Sequence, residues 1–138
     1  MKISTKGQYS LKAMVDLALH DEGELQTISQ IASRTGISEM YLEQLLPKLK
    51  KAGLVESVRG AQGGYRISGS LKEITAGDIL RAGEGDLIPV LCASTTDMNC
   101  PNEESCVTKY VWMKITEGIN DAADSITLED LKNLQHAS

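Results

Sequence analysis

Residues Ser38 to Tyr65 read SEMYLEQLLPKLKKAGLVESVRGAQGGY, and the fold of the chain turns on this stretch. Leu42, Leu45, Leu46 and Leu49 recur at i, i+3, i+4 and i+7, the spacing that buries one face of a helix. Glu43, Gln44, Lys48, Lys50 and Lys51 then point elsewhere, which makes the outer surface polar and partly basic. Ser38 is a good N-cap, Glu39 places negative charge where the helix dipole favours it, and Gly53 suits a left-handed C-terminal position. The pattern predicts a helix over about residues 39–52, with a kink at Pro47, which lacks the N–H of an interior hydrogen bond.

Beyond Gly53, Leu54–Val58 alternates as a half-buried strand does, and Tyr65–Ile67 does so more briefly. Between them, Arg59-Gly60-Ala61-Gln62-Gly63-Gly64 offers three glycines for a tight hairpin or a close backbone approach. This is not a phosphate-binding P-loop, because its lysine and Ser/Thr are missing and no helical pattern follows. A basic helix followed by a Gly-rich, Arg-tipped hairpin suggests a winged helix-turn-helix; the plain alternative is a helix and hairpin with a solvated charged face.

With 138 residues the chain is long enough for one ordinary domain, or for a small domain plus an assembly element. Aromatic residues make up 4% and Phe is absent, so the core must be mainly aliphatic and base stacking on exposed rings is not the expected mode of nucleic-acid contact. The net charge of -5 is unevenly spread: residues 1–82 hold 11 basic and 9 acidic side chains, residues 83–138 hold 3 and 10. From Gln44 to Arg66 five basic residues face the single acid Glu56. Such a patch suits a polyanion even on an acidic protein, since charges much beyond a Debye length of about 10 Å are screened. No apolar run is long enough for a membrane span and the N-terminus has no apolar signal core, which points to a cytoplasmic protein without membrane contact.

Upstream, Leu11, Met14, Val15, Leu17, Ala18 and Leu19 predict a helix between about Lys6 and His20. Thr27 and Gln30 form a capping-box pattern before Ile28, Ile31 and Ala32, and Gly36 closes that short helix, so that a turn of about four residues containing Gly leads to the reading helix, which is helix-turn-helix spacing. Downstream, Thr75 and Asp78 start a short helix over about residues 76–82. Val107, Tyr110, Val111, Ile115, Gly118, Ile119 and Ala122 mark a long helix with a narrow apolar stripe, which a partner subunit would cover. Thr127 and Asp130 cap a last helix carrying Leu128, Leu131 and Leu134.

All three cysteines, Cys92, Cys100 and Cys106, fall in or beside a polar loop with the spacing C-x7-C-x5-C. Structural zinc generally uses closer pairs, whereas iron–sulfur clusters accept looser spacing. Zinc or another metal, and a redox thiol site, remain alternatives on spacing alone. A cluster needs four ligands, and this loop supplies three; further candidates are the only two histidines, His20 and His136, and, nearer in sequence, Asp97, Glu103 and Glu104, each also readable as an ordinary surface residue.

YLEQL, GLVESVRGAQGGY, the three-cysteine loop, Trp112 and ITLEDL together resemble the IscR-type winged-helix transcription regulators, the superfamily that includes IscR, NsrR and CymR. The likeness runs from MKISTKGQY almost to the end and implies no enzyme activity. It implies a mainly α fold with a small β-hairpin wing: a winged helix-turn-helix over residues 1–82, a cysteine loop over 83–105, and a dimerisation helix with a short C-terminal helix over 106–138. It also implies a homodimer on near-palindromic double-stranded DNA, with Ser38, Tyr41, Glu43 and Gln44 toward the major groove and Arg59 on the wing toward a minor groove. Chemistry agrees: Gln can bond adenine through two contacts, Glu can accept from cytosine, and Arg favours a narrow minor groove. Met40 stands where IscR-like members can carry a polar base-contacting residue.

The cysteines match the cluster-binding branch, and the expected cofactor is an iron–sulfur cluster of the [2Fe-2S] type on Cys92, Cys100 and Cys106. CymR-like members lack the three cysteines. IscR-like members take a His three residues after the last cysteine as fourth ligand, where this chain has Lys109; NsrR-like members can use an N-terminal carboxylate, where it has Gln8. The leading expectation is a regulator that senses iron, iron–sulfur or redox status. Its rivals are a thiol-switch or other-metal regulator on the same fold, and an electron carrier or redox enzyme, for which the basic wing has no purpose and no catalytic motif is visible.

Overall fold

The computed structural model describes residues 3–20, 24–87 and 106–137. Its elements follow in the order α1 (Thr5–Leu19), α2 (Ile28–Thr35), α3 (Glu39–Lys51), β1 (Val55–Val58), β2 (Gly64–Ile67), α4 (Ala76–Glu84), α5 (Cys106–Asp124) and α6 (Leu128–Ala137). The fold is a mainly helical winged helix-turn-helix whose wing is one antiparallel hairpin, with a long helix after it.

Helix α1 is the hub, packed against α2, α3, α4, α6 and β2. Its apolar stripe puts Met14, Leu17 and Ala18 in the core, where they meet Ile31 of α2, Leu42, Leu46 and Leu49 of α3, Ile79 of α4 and Leu128 of α6. These side chains are wholly or almost wholly shielded, and each buried Leu or Ile contributes about 1.5–3 kcal/mol relative to exposure. Burial of Leu128 in this core brings α6 back onto α1 after α5.

The local signals act as their chemistry requires. Thr27 Oγ1 accepts from Gln30 N while Thr27 N donates to Gln30 Oε1, and Thr75 with Asp78 forms the same reciprocal box. Thr127 and Asp130 repeat it at α6. Gly36 and Gly53 end α2 and α3 at φ 78° and 80°. Helix α3 continues through Pro47.

Helix α4 runs to Glu84, two residues past the expected end, because tertiary contacts hold its last turn. Gly83 faces α1 so closely that a Cβ there would lie 2.1 Å from Ser10 Oγ. The Glu84 carboxylate accepts from Ser4 N at 2.5 Å, from Ser4 Oγ, and from Gly7 N at 3.4 Å. The start of α1 is thus capped by a carboxylate from α4 rather than by its own Ser4 side chain. The hydrogen bond from the Ser4 hydroxyl first, then those from the Ser4 and Gly7 backbone N–H groups, hold the Glu84 pKa below its ordinary value.

Helix α5 presents an exposed apolar surface among the described residues: Val107 is 77% exposed, Tyr110 62% and Ile115 41%. Among the described residues, no helix is long and apolar enough to cross a membrane.

Candidate nucleic-acid interface

Ser38 caps α3, its Oγ accepting from Tyr41 N at 3.1 Å, and this fixes the first turn of the helix. Leu42, Leu45, Leu46 and Leu49 then face inward, leaving Met40, Glu43, Gln44 and Pro47 along the exposed side at i, i+3, i+4 and i+7. Glu43 and Gln44 make no hydrogen bond or ion pair among the described residues, so their polar ends are available to a ligand. Met40 is 73% exposed beside them. Tyr41 is half-buried and meets Tyr9 of α1 edge to face, the ring centroids 5.1 Å apart at 78°. Such a pair adds about 0.5–1.5 kcal/mol beyond area burial, and here it braces the first turn of α3 against α1.

The wing begins where α3 ends. Lys50 Nζ donates to Ser57 Oγ at 2.7 Å, tying the last turn of the helix to β1. The strands pair Val55 with Ile67, Glu56 with Arg66, Ser57 with Tyr65 and Val58 with Gly64. Residues 59–63 form the tip, closed by Gly63 N donating to Gly60 O at 3.0 Å.

Arg59 stands exposed at this tip. Of the four arginines in the chain, Arg34 pairs with Asp16, Arg66 with Glu56 and Arg81 with Asp124, whereas Arg59 has no carboxylate partner among the described residues. Lys48 and Lys51 on α3 are likewise exposed without an acidic partner there. Positive charge that no protein carboxylate neutralises is what phosphate contacts require. Between wing and helices lies a cleft of about 480 Å³ lined by Thr27, Pro47, Lys50, Ser57 and Arg59.

The sequence patterns missed the network that seats the wing. Gln26 and Tyr65 exchange both backbone hydrogen bonds, at 2.8 and 2.7 Å, so the segment before α2 docks along β2. Gly64, at φ 155°, makes room, since a Cβ there would lie 2.5 Å from Gln26 O. Behind this bridge, Arg34 donates to both carboxylate oxygens of Asp16 and to Gln26 Oε1. The Asp16 hydrogen bond is the main reason the Arg34 pKa is raised. Arg34 reads in sequence as an ordinary charge near a helix end, and no local spacing reveals its partners.

Cys92 and Cys100, with Asp97, Glu103 and Glu104, lie outside the described residues. Cys106 is the first residue of α5, and Lys109 follows one turn later. Gln8 donates to Ile3 O at 3.1 Å, and His20 contacts Asp16 O through Nδ1 at 2.8 Å. Among the described residues, no three His, Cys, Asp or Glu side chains come together to hold a metal ion.

The family Rrf2, described as "Iron-dependent Transcriptional regulator", matches residues 3–133. The chain belongs to the Rrf2 family. Within Rrf2, it is 43% identical over 132 residues to the HTH-type transcriptional regulator CymR of Bacillus subtilis, covering 95% of this chain and 89% of that protein. The solved CymR structure, titled as the global cysteine regulator of that organism, superposes with a TM-score of 0.80 at 40% identity, covering 97% and 98% of the two chains. HTH-type transcriptional regulator IscR of Vibrio campbellii is 39% identical over 131 residues, covering 95% of this chain and 77% of its own. The structure of T. potens IscR gives a TM-score of 0.76 at 44% identity, covering all of this chain and 89% of that one. The Rrf2 assignment makes the exposed side of α3 and the wing parts of a DNA-binding transcription regulator, not of an enzyme.

Proposed function

We propose that this Rrf2 protein is a cytoplasmic homodimeric regulator that reads a near-palindromic operator and reports iron, iron–sulfur or redox status through a [2Fe-2S] cluster on Cys92, Cys100 and Cys106. The observation that carries the reading is one chain that joins an unneutralised winged-helix surface to a long bare helix headed by the last of three cysteines. Residues 1–82 form the DNA-binding unit, residues 83–105 the cysteine loop and residues 106–138 the dimerisation segment with its short final helix. Val107, Tyr110, Val111 and Ile115 of α5 meet the same residues of a second copy, and each subunit offers α3 to a major groove. Ser38 orients the helix start, Tyr41, Glu43 and Gln44 face DNA, and Arg59 enters the minor groove beside the wing.

The donor set suits such a cluster. Three thiols are the ligands that iron–sulfur centres favour, and the last of the three, Cys106, begins α5. When bound, the cluster supplies a centre sensitive to iron and sulfide supply and to oxidants. Absorption spectra of anaerobically purified protein with iron and sulfide counts test the assignment; two irons and two sulfides per chain are expected.

The similarity to CymR over 95% of the chain favours a second reading, in which the cysteines act as thiol switches or hold another metal. Protein free of iron and sulfide whose operator affinity follows the thiol redox state would establish it.

A further inference from the structure

Among the described residues, helix α5 meets the winged domain mainly at α4, and Arg81 bonds across that junction. Arg81 Nη1 donates to Asn120 Oδ1 at 2.7 Å, and Arg81 Nη2 donates to Asp124 Oδ1 while lying 3.5 Å from Asp78 Oδ1. Asn120 and Asp124 are one turn apart on α5, so a planar guanidinium spanning both fixes rotation as well as distance. The fit is close: a Cβ on Gly77 would lie 2.0 Å from Asp124 Oδ1. Asn120 Nδ2 in turn donates to Leu87 O at 3.1 Å. Below α5, the Thr75–Thr127 bridge holds the chain at a second point, with Ala76 N donating to Ile126 O at 2.8 Å.

Arg81 also borders the recognition helix. With Lys48, Lys51 and Ala52 from the end of α3, it lines a cleft of about 400 Å³. The path from α3 to α5 therefore runs through α4 and this guanidinium. Two contact points define a line, and the Arg81 fork supplies the constraint that stops α5 pivoting about the bridge.

We propose that Arg81 is a positioning residue that selects half-site spacing by fixing the cant of α5 against α3. The inference rests on the proposed pairing of α5 helices across a two-fold axis. In such a dimer, a change of cant at each α4–α5 junction moves the two recognition helices relative to one another. DNA is sensitive to that movement, because each inserted base pair shifts a half-site by about 3.4 Å and rotates it by roughly 35°. Arg81 reaches no base in this account; it acts through Asn120 and Asp124.

The test uses the full chain, purified anaerobically, and an operator selected by the parent protein from random-sequence duplexes. One base pair is then inserted or removed at its centre, and affinities are measured for the parent, Arg81→Gln, Arg81→Lys and Asn120→Ala. The parent should disfavour the altered spacers by on the order of tenfold. Arg81→Gln should bring that ratio within about threefold while the dimer mass persists, with Arg81→Lys and Asn120→Ala in between. A purely structural role would instead lower affinity by one factor for every spacer, and that result overturns the proposal. A dimeric Arg81→Gln protein with the parent's spacing profile also overturns it, leaving the dimer reading intact. A parent that sediments as a monomer on its operator removes the dimer reading and this proposal together. Where Arg81→Gln fails to fold, Asn120→Ala, which removes one arm of the fork, decides between the same outcomes.

Discussion

Arg34 grips Asp16 through two hydrogen bonds of 2.9 Å each, and the same guanidinium reaches on to Gln26. The carboxylate is nearly buried in α1 while the arginine is partly exposed, so the pair lies between a core and a surface ion pair. Asp16→Ala should cost about 2 kcal/mol in denaturant unfolding, since it strands a charged donor and loosens Gln26. A loss under about 0.5 kcal/mol would class the pair with ordinary surface ion pairs.

The exposed side of α3 and the wing should fail in different ways. Gln44→Ala is expected to lose roughly 1–3 kcal/mol on the preferred operator and almost nothing on random DNA, because base-edge contacts carry specificity. Arg59→Ala should weaken binding most for operators with an A-tract under the wing, where the minor groove is narrow. Titrations on matched and scrambled duplexes separate the two effects; equal losses on both for Gln44→Ala would remove it from base readout.

The bare stripe on α5 predicts the assembly state. Ile115→Asp places a charge in the middle of the proposed two-fold contact, and sedimentation should show monomers or insoluble protein. A soluble dimer with unchanged operator affinity would show that α5 does not pair through this face.

Lys109 follows Cys106 by three residues, about one turn, on α5. In the proposed cluster, three thiolates would leave one iron site to a weaker donor, so it should be labile in air, and Lys109→His should slow its loss. Loss of visible absorbance after exposure to oxygen measures this. Equal decay in parent and variant would place the fourth ligand elsewhere, and any one of Cys92→Ala, Cys100→Ala or Cys106→Ala should abolish stable incorporation.

Glu84 gives a pH dependence of definite sign. Its pKa in the folded protein lies below the ordinary glutamate value, so the unfolded chain takes up the proton first as pH falls. The stabilisation is complete above the unfolded value of about 4.3 and disappears as pH drops through the folded one. Glu84→Gln should therefore be less stable than the parent at neutral pH, with the gap closing below about pH 4. A gap that persists unchanged into acid would mean that the hydrogen bonds, not the charge, hold Ser4 and Gly7.

Local chemistry made much of this architecture legible. The capping pairs of Thr27, Thr75 and Thr127 lie three residues from their partners, and Leu42 to Leu49 repeat within a single helix, so their meaning is contained in short windows of sequence. The expected end of α4 at about residue 82 falls short for the same reason: in a short window Gly83 resembles a helix end, whereas its role is to admit Ser10 from another helix. Arg34 finds Asp16 across 18 positions, Arg81 finds Asp124 across 43 and Glu84 finds Ser4 across 80. None of those pairings has a period to detect, because each arises only once the helices have packed. For the residues proposed to face DNA, spacing marked the outer stripe, but it could not show that Tyr41 divides itself between that surface and Tyr9.

The division of α3 into two sides also bears on how such a protein can change over generations. Its buried leucines hold the fold, while Met40, Glu43 and Gln44 are exposed. Substitutions along that exposed row should cost the fold little, so on the DNA-reading role proposed for it a duplicated gene can acquire a new operator without passing through an unfolded ancestor. The wing tip enjoys the same freedom at Arg59, whereas Gly64 does not, pressed as it is against Gln26. Operator choice can diversify quickly on a scaffold whose interior stands still.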